Sequence, residues 1–184
     1  MESLIVLAII ALILWVYWGR NAWRVHVTER ALISIPGFVP NYYCIGANNT
    51  SIAISDANKM VAFIDRNGNH RMYNFANIVN VEICRNGVAY TKTNRGSQIV
   101  GAVIGNALFG PKGFKPGALT ASTTTSERIN ALSLRVCVAD LSNPSIEVVF
   151  YQGPAIEMTS RQFIKYSREI NEWFMRLQLI ITNP

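Results

Sequence analysis

Sixteen residues near the start of the chain, Ser3 to Trp18, run without a charge: Ser-Leu-Ile-Val-Leu-Ala-Ile-Ile-Ala-Leu-Ile-Leu-Trp-Val-Tyr-Trp. The run is apolar all round, with no polar stripe, and three readings compete for it. A cleaved signal peptide needs basic residues before the run and small residues after it. Here Glu2 precedes it and Trp15-Val-Tyr-Trp18 closes it, which opposes cleavage. A buried core helix suits the length but normally carries a polar face. A membrane anchor over residues 1–19 is the favoured reading, at about 24 Å of helix against a hydrocarbon core of roughly 30 Å. Trp15 and Trp18 then fall in an interfacial belt, with Arg20 and Arg24 at the bilayer surface.

Residues 20–41 read as a juxtamembrane stalk or a continuation of the helix, broken by Pro36, Gly37 and Pro40. From Tyr42 the period changes to two. Alternating or β-branched runs occupy 42–46, 51–55, 59–65, 71–75, 78–85, 88–93, 131–139 and 146–151. Asn67-Gly68 and Asn86-Gly87 are strong hairpin signals between neighbouring runs. The last segment is helical. Thr159 or Ser160 caps it, and Phe163, Ile164, Ile170, Trp173, Phe174, Leu177 and Ile181 recur at three- and four-residue spacings. A helix with so many large apolar residues is suited to plugging a sheet.

Seven short antiparallel strands in meander order, then one long amphipathic helix, resemble a pleckstrin-homology-like (PH-like) barrel of a bacterial or phage module. The resemblance rests on Ser55-Asp-Ala-Asn-Lys-Met-Val-Ala-Phe-Ile-Asp65, on Tyr73-Asn-Phe-Ala-Asn-Ile-Val-Asn-Val-Glu-Ile83 and on the terminal helix. The expected fold class is therefore an N-terminal transmembrane helix plus a mainly-β domain. That domain, residues 42–182, would be a seven-stranded antiparallel barrel or sandwich closed by the C-terminal helix. The resemblance implies a binding role and names no ligand. The basic loop that eukaryotic members use for phosphoinositides has no match, since Ala47-Asn-Asn-Thr50 is uncharged.

Charge adds an orientation. All seventeen Lys and Arg follow the apolar run, against ten of the eleven acids, and the whole chain carries +6. Arg20, Arg24 and Arg30 flank only the C-terminal side of the run, which places the N-terminus outside and the domain in the cytoplasm at the inner membrane. Juxtamembrane cations favour an anionic lipid surface. No basic helix or aromatic ladder for base stacking is evident, so nucleic acid is not expected. Cys44, Cys84 and Cys137 are odd in number and widely spaced, which suits free thiols in a reducing compartment.

One segment, 94–130, interrupts the strand pattern. Gly101 and Gly105 form Gly-x-x-x-Gly within an apolar stretch ending at Phe109, with Lys112 and Lys115 just beyond. The contact reading makes it a short apolar helix or re-entrant hairpin that meets a membrane or a second copy through its glycine face. The plainer reading is a loop covering the barrel mouth. The motif was defined in spans near twenty residues, so its weight here is small.

No catalytic constellation emerges. Asp56, Asp65, Glu82, Asp140 and Glu147 are scattered at turns or outward strand positions, His26 and His70 stand alone, and no phosphate loop occurs. The expectation is no enzyme, no cofactor, no metal and no small-molecule substrate. The sequence is read as a membrane-anchored binding or scaffold module with a protein partner, a lipid surface or a second copy. The contacts expected to carry that role are Trp15, Trp18, Arg20, Arg24, Gly101, Gly105, Phe109, Lys112 and Lys115. The alternatives are a phage- or prophage-encoded membrane protein in superinfection exclusion or defence, and an enzyme with an unrecognised site.

Overall fold

In the computed structural model, residues 2–94 and 128–184 are described. Helix α1 spans Glu2–Ser34. Strands β1 (Tyr42–Ile45), β2 (Ser51–Ser55), β3 (Met60–Ile64) and β4 (His70–Asn74) follow. A 3-10 turn at Phe75–Asn77 leads into β5 (Ile78–Arg85) and β6 (Val88–Asn94). Strands β7 (Arg128–Val138) and β8 (Ser145–Glu157) precede helix α2, Arg161–Thr182.

The strands form two four-stranded antiparallel sheets, β1-β2-β3-β4 and β6-β5-β7-β8. The first is a plain meander set by turn chemistry. Asp65 Oδ1 accepts from the backbone N–H of Asn67 and Asn69, which folds the β3–β4 connection around Gly68. Asn86 and Gly87 both adopt positive φ, 49° and 81°, as a two-residue hairpin between right-twisted strands requires.

The main core lies between the sheets and α2. Ile52, Ile54, Val61 and Phe63 from the first sheet meet Val81, Ile83, Leu134 and Val148 from the second. Helix α2 closes this core with Ile170, Trp173, Phe174 and Leu177. Its N-cap is Ser160, whose Oγ accepts from Phe163 N–H at 3.2 Å. That bond satisfies one of the four amides a helix start leaves open.

A second, smaller core explains why β2 and β3 are buried on both faces. Ala31, Leu32, Ile35 and Phe38, at and beyond the end of α1, pack on Ala53, Ala62 and Ile64. Alternation sends Ile52, Ile54, Val61 and Phe63 to the main core and the small Ala53 and Ala62 to the helix side. Alanine at those positions lets a helix lie close to the sheet. Thr28 Oγ1 and Ser51 Oγ share a buried hydrogen bond of 2.9 Å at the same contact.

Two expectations are corrected. Among the described residues, no helix is long and apolar enough to cross a membrane, so the transmembrane anchor is not found. The apolar run is part of one 33-residue helix that continues through Arg20, Arg24, Glu29 and Arg30 and docks its C-terminal turns on the first sheet. The single-pass inner-membrane placement, N-terminus out with a cytoplasmic domain, rested on that span and falls with it. The expected seven-stranded barrel or sandwich closed by the C-terminal helix is corrected in strand number and closure: among the described residues there are eight strands in two sheets that do not close, and the C-terminal helix is present. Strand β6 takes one end of the second sheet, and β8 is bridged to the first sheet at the β1–β2 turn.

A candidate binding cleft between the last strand and the C-terminal helix

Strand β8 is an edge strand, and its geometry is irregular for a reason visible in its residues. It pairs Ile156 with Ile129 and Gln152 with Ala131, so four steps along β8 match two along β7. The excess falls at Gly153-Pro154-Ala155. Proline has no N–H to give a ladder, and bulges at sheet edges absorb such residues. The Tyr151 hydroxyl donates to the Pro154 carbonyl and ties the bulge down. Gly153 sits close beside it: a Cβ there would stand 3.2 Å from the Tyr151 hydroxyl and 3.4 Å from its ring, a tight contact.

A cleft of about 350 Å³ lies between this bulged stretch of β8 and the first turns of α2. Strand β8 lines it from Phe150 to Pro154 and again at Ile156; α2 contributes Gln162 and Tyr166, and the β1–β2 turn contributes Ala47. Tyr151 and Tyr166 form its back, with ring centroids 5.3 Å apart and planes tilted by 33°. Gln152 and Gln162 are exposed and bring amide donors and acceptors to the rim. The Lys165 ammonium stands 5.7 Å from the Tyr166 ring centroid. Among the described residues, its lining holds no carboxylate, imidazole or thiol. Such a surface can grip a ligand by ring faces and amides.

The upper end of the cleft is fixed by a clasp. Ala47 N–H donates to the Val149 carbonyl, and Asn48 Nδ2 to the Glu147 carbonyl at 2.9 Å. Asn48 Oδ1 in turn accepts from Val149 N–H and from Thr50 N–H, each at 3.3 Å. Gly46 is forced by crowding, since a Cβ there would lie 2.6 Å from the Thr50 carbonyl oxygen and 3.0 Å from Val148 Cγ1. On the other side of the turn, Arg24 Nη2 donates to the Gly46 carbonyl. Helix α1 thus holds the turn that closes the cleft.

Of the contact residues expected from the sequence, four lie on α1. Trp15 is exposed on α1 together with Leu7 and Leu12. Trp18 and Arg20 lie in the same helix, but their side chains fall outside the described residues. Arg24 caps the β1–β2 turn as above. Gly101, Gly105, Phe109, Lys112 and Lys115 lie outside the described residues. The cleft residues Tyr151, Gly153, Gln162 and Tyr166 were not singled out. Their signal was Gly153-Pro154 inside an otherwise strand-like run, which marks a bulge.

Two polar clusters complete the picture. Glu82 is buried, and its carboxylate accepts from Asn80 Nδ2 at 3.0 Å and pairs with Arg135 at 3.5 Å. Alternation alone had placed it in solvent. Cys44 is on β1 and faces α2, where its thiol donates to Glu169 Oε1 at 3.7 Å. Burial, then the charge and hydrogen bond of Glu169, push that thiol up to about 12. Among the described residues, no group of three or more His, Cys, Asp or Glu could hold a metal ion.

No curated protein and no solved structure matches the chain. A family model described as a glycine zipper containing PH domain matches residues 41–152, which spans β1 to the first half of β8 and ends at the cleft. With more than half of its length so matched, the chain belongs to the glycine zipper-containing PH domain family.

Proposed function

We propose that this chain is a protein-binding module that takes a segment of a partner into the cleft between β8 and α2. A PH-like domain supports a binding or scaffold role in general terms. The observation that carries the finer reading is the cleft itself: two tyrosine rings behind, two glutamine amides at the rim, and an edge strand along one wall. Tyrosine offers large, stiff contact area at small entropic cost, and edge strands are natural docking lines for another chain. Among the described lining residues the titratable side chains are the two tyrosines, with no second titratable group beside them to form an acid–base pair, so binding suits the cleft better than catalysis.

The test places a photo-crosslinking residue at Gln162 in the full chain, with a second version carrying it at the fully exposed Leu141. Discrete protein adducts at position 162, absent at 141 and lost with Tyr166→Ala, are the expected result. Adducts that ignore Tyr166→Ala, or none at all, would remove the proposal.

A further inference from the structure

We infer that the occupant of this cleft is an acidic, extended segment of a partner protein, an assignment that rests on the protein-binding reading above. The chemistry of the rim points there. The Lys165 ammonium stands 5.7 Å from the centroid of the Tyr166 ring, and Arg161 directly precedes the lining Gln162 in the first turn of α2. Both are exposed, and neither has an acid partner among the described residues. The first turn of α2 carries no acid to offset them. The acid at the lower end of β8, Glu157, is engaged by Arg128 at 4.0 Å. The first turns of α2, next to the lining Gln162 and Tyr166, therefore carry two exposed cations without an ion-pair partner among the described residues, on a chain that is itself +6. Complementary charge at a rim steers encounter and selects partners.

Extension follows from the other wall. Strand β8 is the last strand of its sheet, and from Phe150 to Ile156 it runs along the cleft below the clasp at Ala47 and Asn48. An extended segment laid beside it meets main-chain groups, the two glutamine amides and the tyrosine faces together. An anionic lipid headgroup would meet the two cations but would leave the strand wall and amides unused. The combination favours peptide.

The test measures fluorescence anisotropy of three octapeptides with the full chain: alternating Glu–Val, alternating Ser–Val and alternating Lys–Val. The Glu–Val peptide is expected to bind about tenfold more tightly than the Ser–Val peptide, and the preference to shrink as salt rises. Arg161→Glu with Lys165→Glu, both at exposed positions, should weaken the Glu–Val peptide about tenfold and improve the Lys–Val peptide. Circular dichroism of the double variant checks that the fold is kept. If all three peptides bind equally and all are weakened by Tyr166→Ala, the acidic assignment is overturned while the protein-binding reading stands. If none binds, or if only phosphatidylglycerol vesicles do, both are overturned.

Discussion

Asn48 reaches from the β1–β2 turn to the Glu147 carbonyl on β8, 2.9 Å away and ninety-nine positions further along the chain. With the bonds that its Oδ1 accepts from Val149 and Thr50, this side chain joins the two sheets at that corner beside the Ala47 N–H to Val149 carbonyl bond. Asn48→Ala should therefore cost about 1–2 kcal/mol, since each exposed hydrogen bond contributes roughly 0.5–1.5 kcal/mol net. Urea denaturation gives the loss, and amide exchange should speed up selectively at Val149. Gly46→Ala should cost more, about 2–3 kcal/mol, because its methyl group collides with backbone rather than with a movable side chain.

Helix α1 is part of the folded unit at its C-terminal end. Leu32 is 4% exposed and meets Ala53, Ala62 and Ile64 across the second core. Leu32→Ala leaves a gap beside two residues already as small as alanine, which cannot collapse to fill it. A loss of about 2–4 kcal/mol is expected, readable as a lower urea midpoint with the slope unchanged. A loss within error would mean that α1 adds nothing to the domain's stability.

Most strand positions were legible because alternation is a direct record of two faces. The run Ser51–Ser55 gave β2, and Asn86-Gly87 gave the hairpin with the required positive φ at both residues. What alternation cannot say is whether the second face meets water. Ala53 and Ala62 read as neutral positions, yet they mark where α1 lies on the sheet. Of the two readings of the stretch after residue 19, stalk or continued helix, the helix runs on to Ser34: Arg20, Asn21, Arg24 and Arg30 are compatible with helix, and nothing before Pro36 stops it. The cleft was missed because its residues come from β8, α2 and a distant turn, so no window of sequence shows them together. Only Gly153-Pro154 hinted at it, as a place where the ladder must yield.

The three thiols should separate by accessibility. Cys44 and Cys84 are buried, and Cys137 is half-buried. Burial first, then Glu169, holds the Cys44 thiol protonated up to about 12, and burial likewise raises Cys84. Thiolate is the reactive form, so at neutral pH a disulfide reagent should label Cys137 first. Cys44 and Cys84 should follow only on the timescale of unfolding. Peptide mapping after timed quenching checks the order. Early labelling at Cys44 would contradict its burial on β1 against α2.

A pH dependence follows from Tyr73, whose hydroxyl donates to Asp140 Oδ2 at 2.9 Å. That bond is the largest cause of holding the Asp140 carboxyl below its ordinary value, helped by the N–H groups of Ser142 and Asn143. A carboxyl depressed in the folded state binds its proton more weakly there than in the unfolded chain. Its contribution is thus present above the unfolded value, near 4, and is lost as pH falls through the folded value. Tyr73 has the opposite sense: burial, then Asp140, raises its phenol, so its contribution is present below about 10 and is lost as pH rises beyond it. Tyr73→Phe removes the shared bond and should flatten stability at both ends, apart from the cost of the bond itself at neutral pH. Asp65 supplies the control. Its carboxyl is also depressed, because the hydrogen bonds from Asn69, Asn67 and Gly68 outweigh the opposing effect of burial, and none of these involves Tyr73. Some acid sensitivity should therefore survive in the variant. Urea midpoints across the acid range and phenolate absorbance in the alkaline range give the comparison. An acid slope identical in Tyr73→Phe and the parent would mean that Asp140 is held down by its own turn alone.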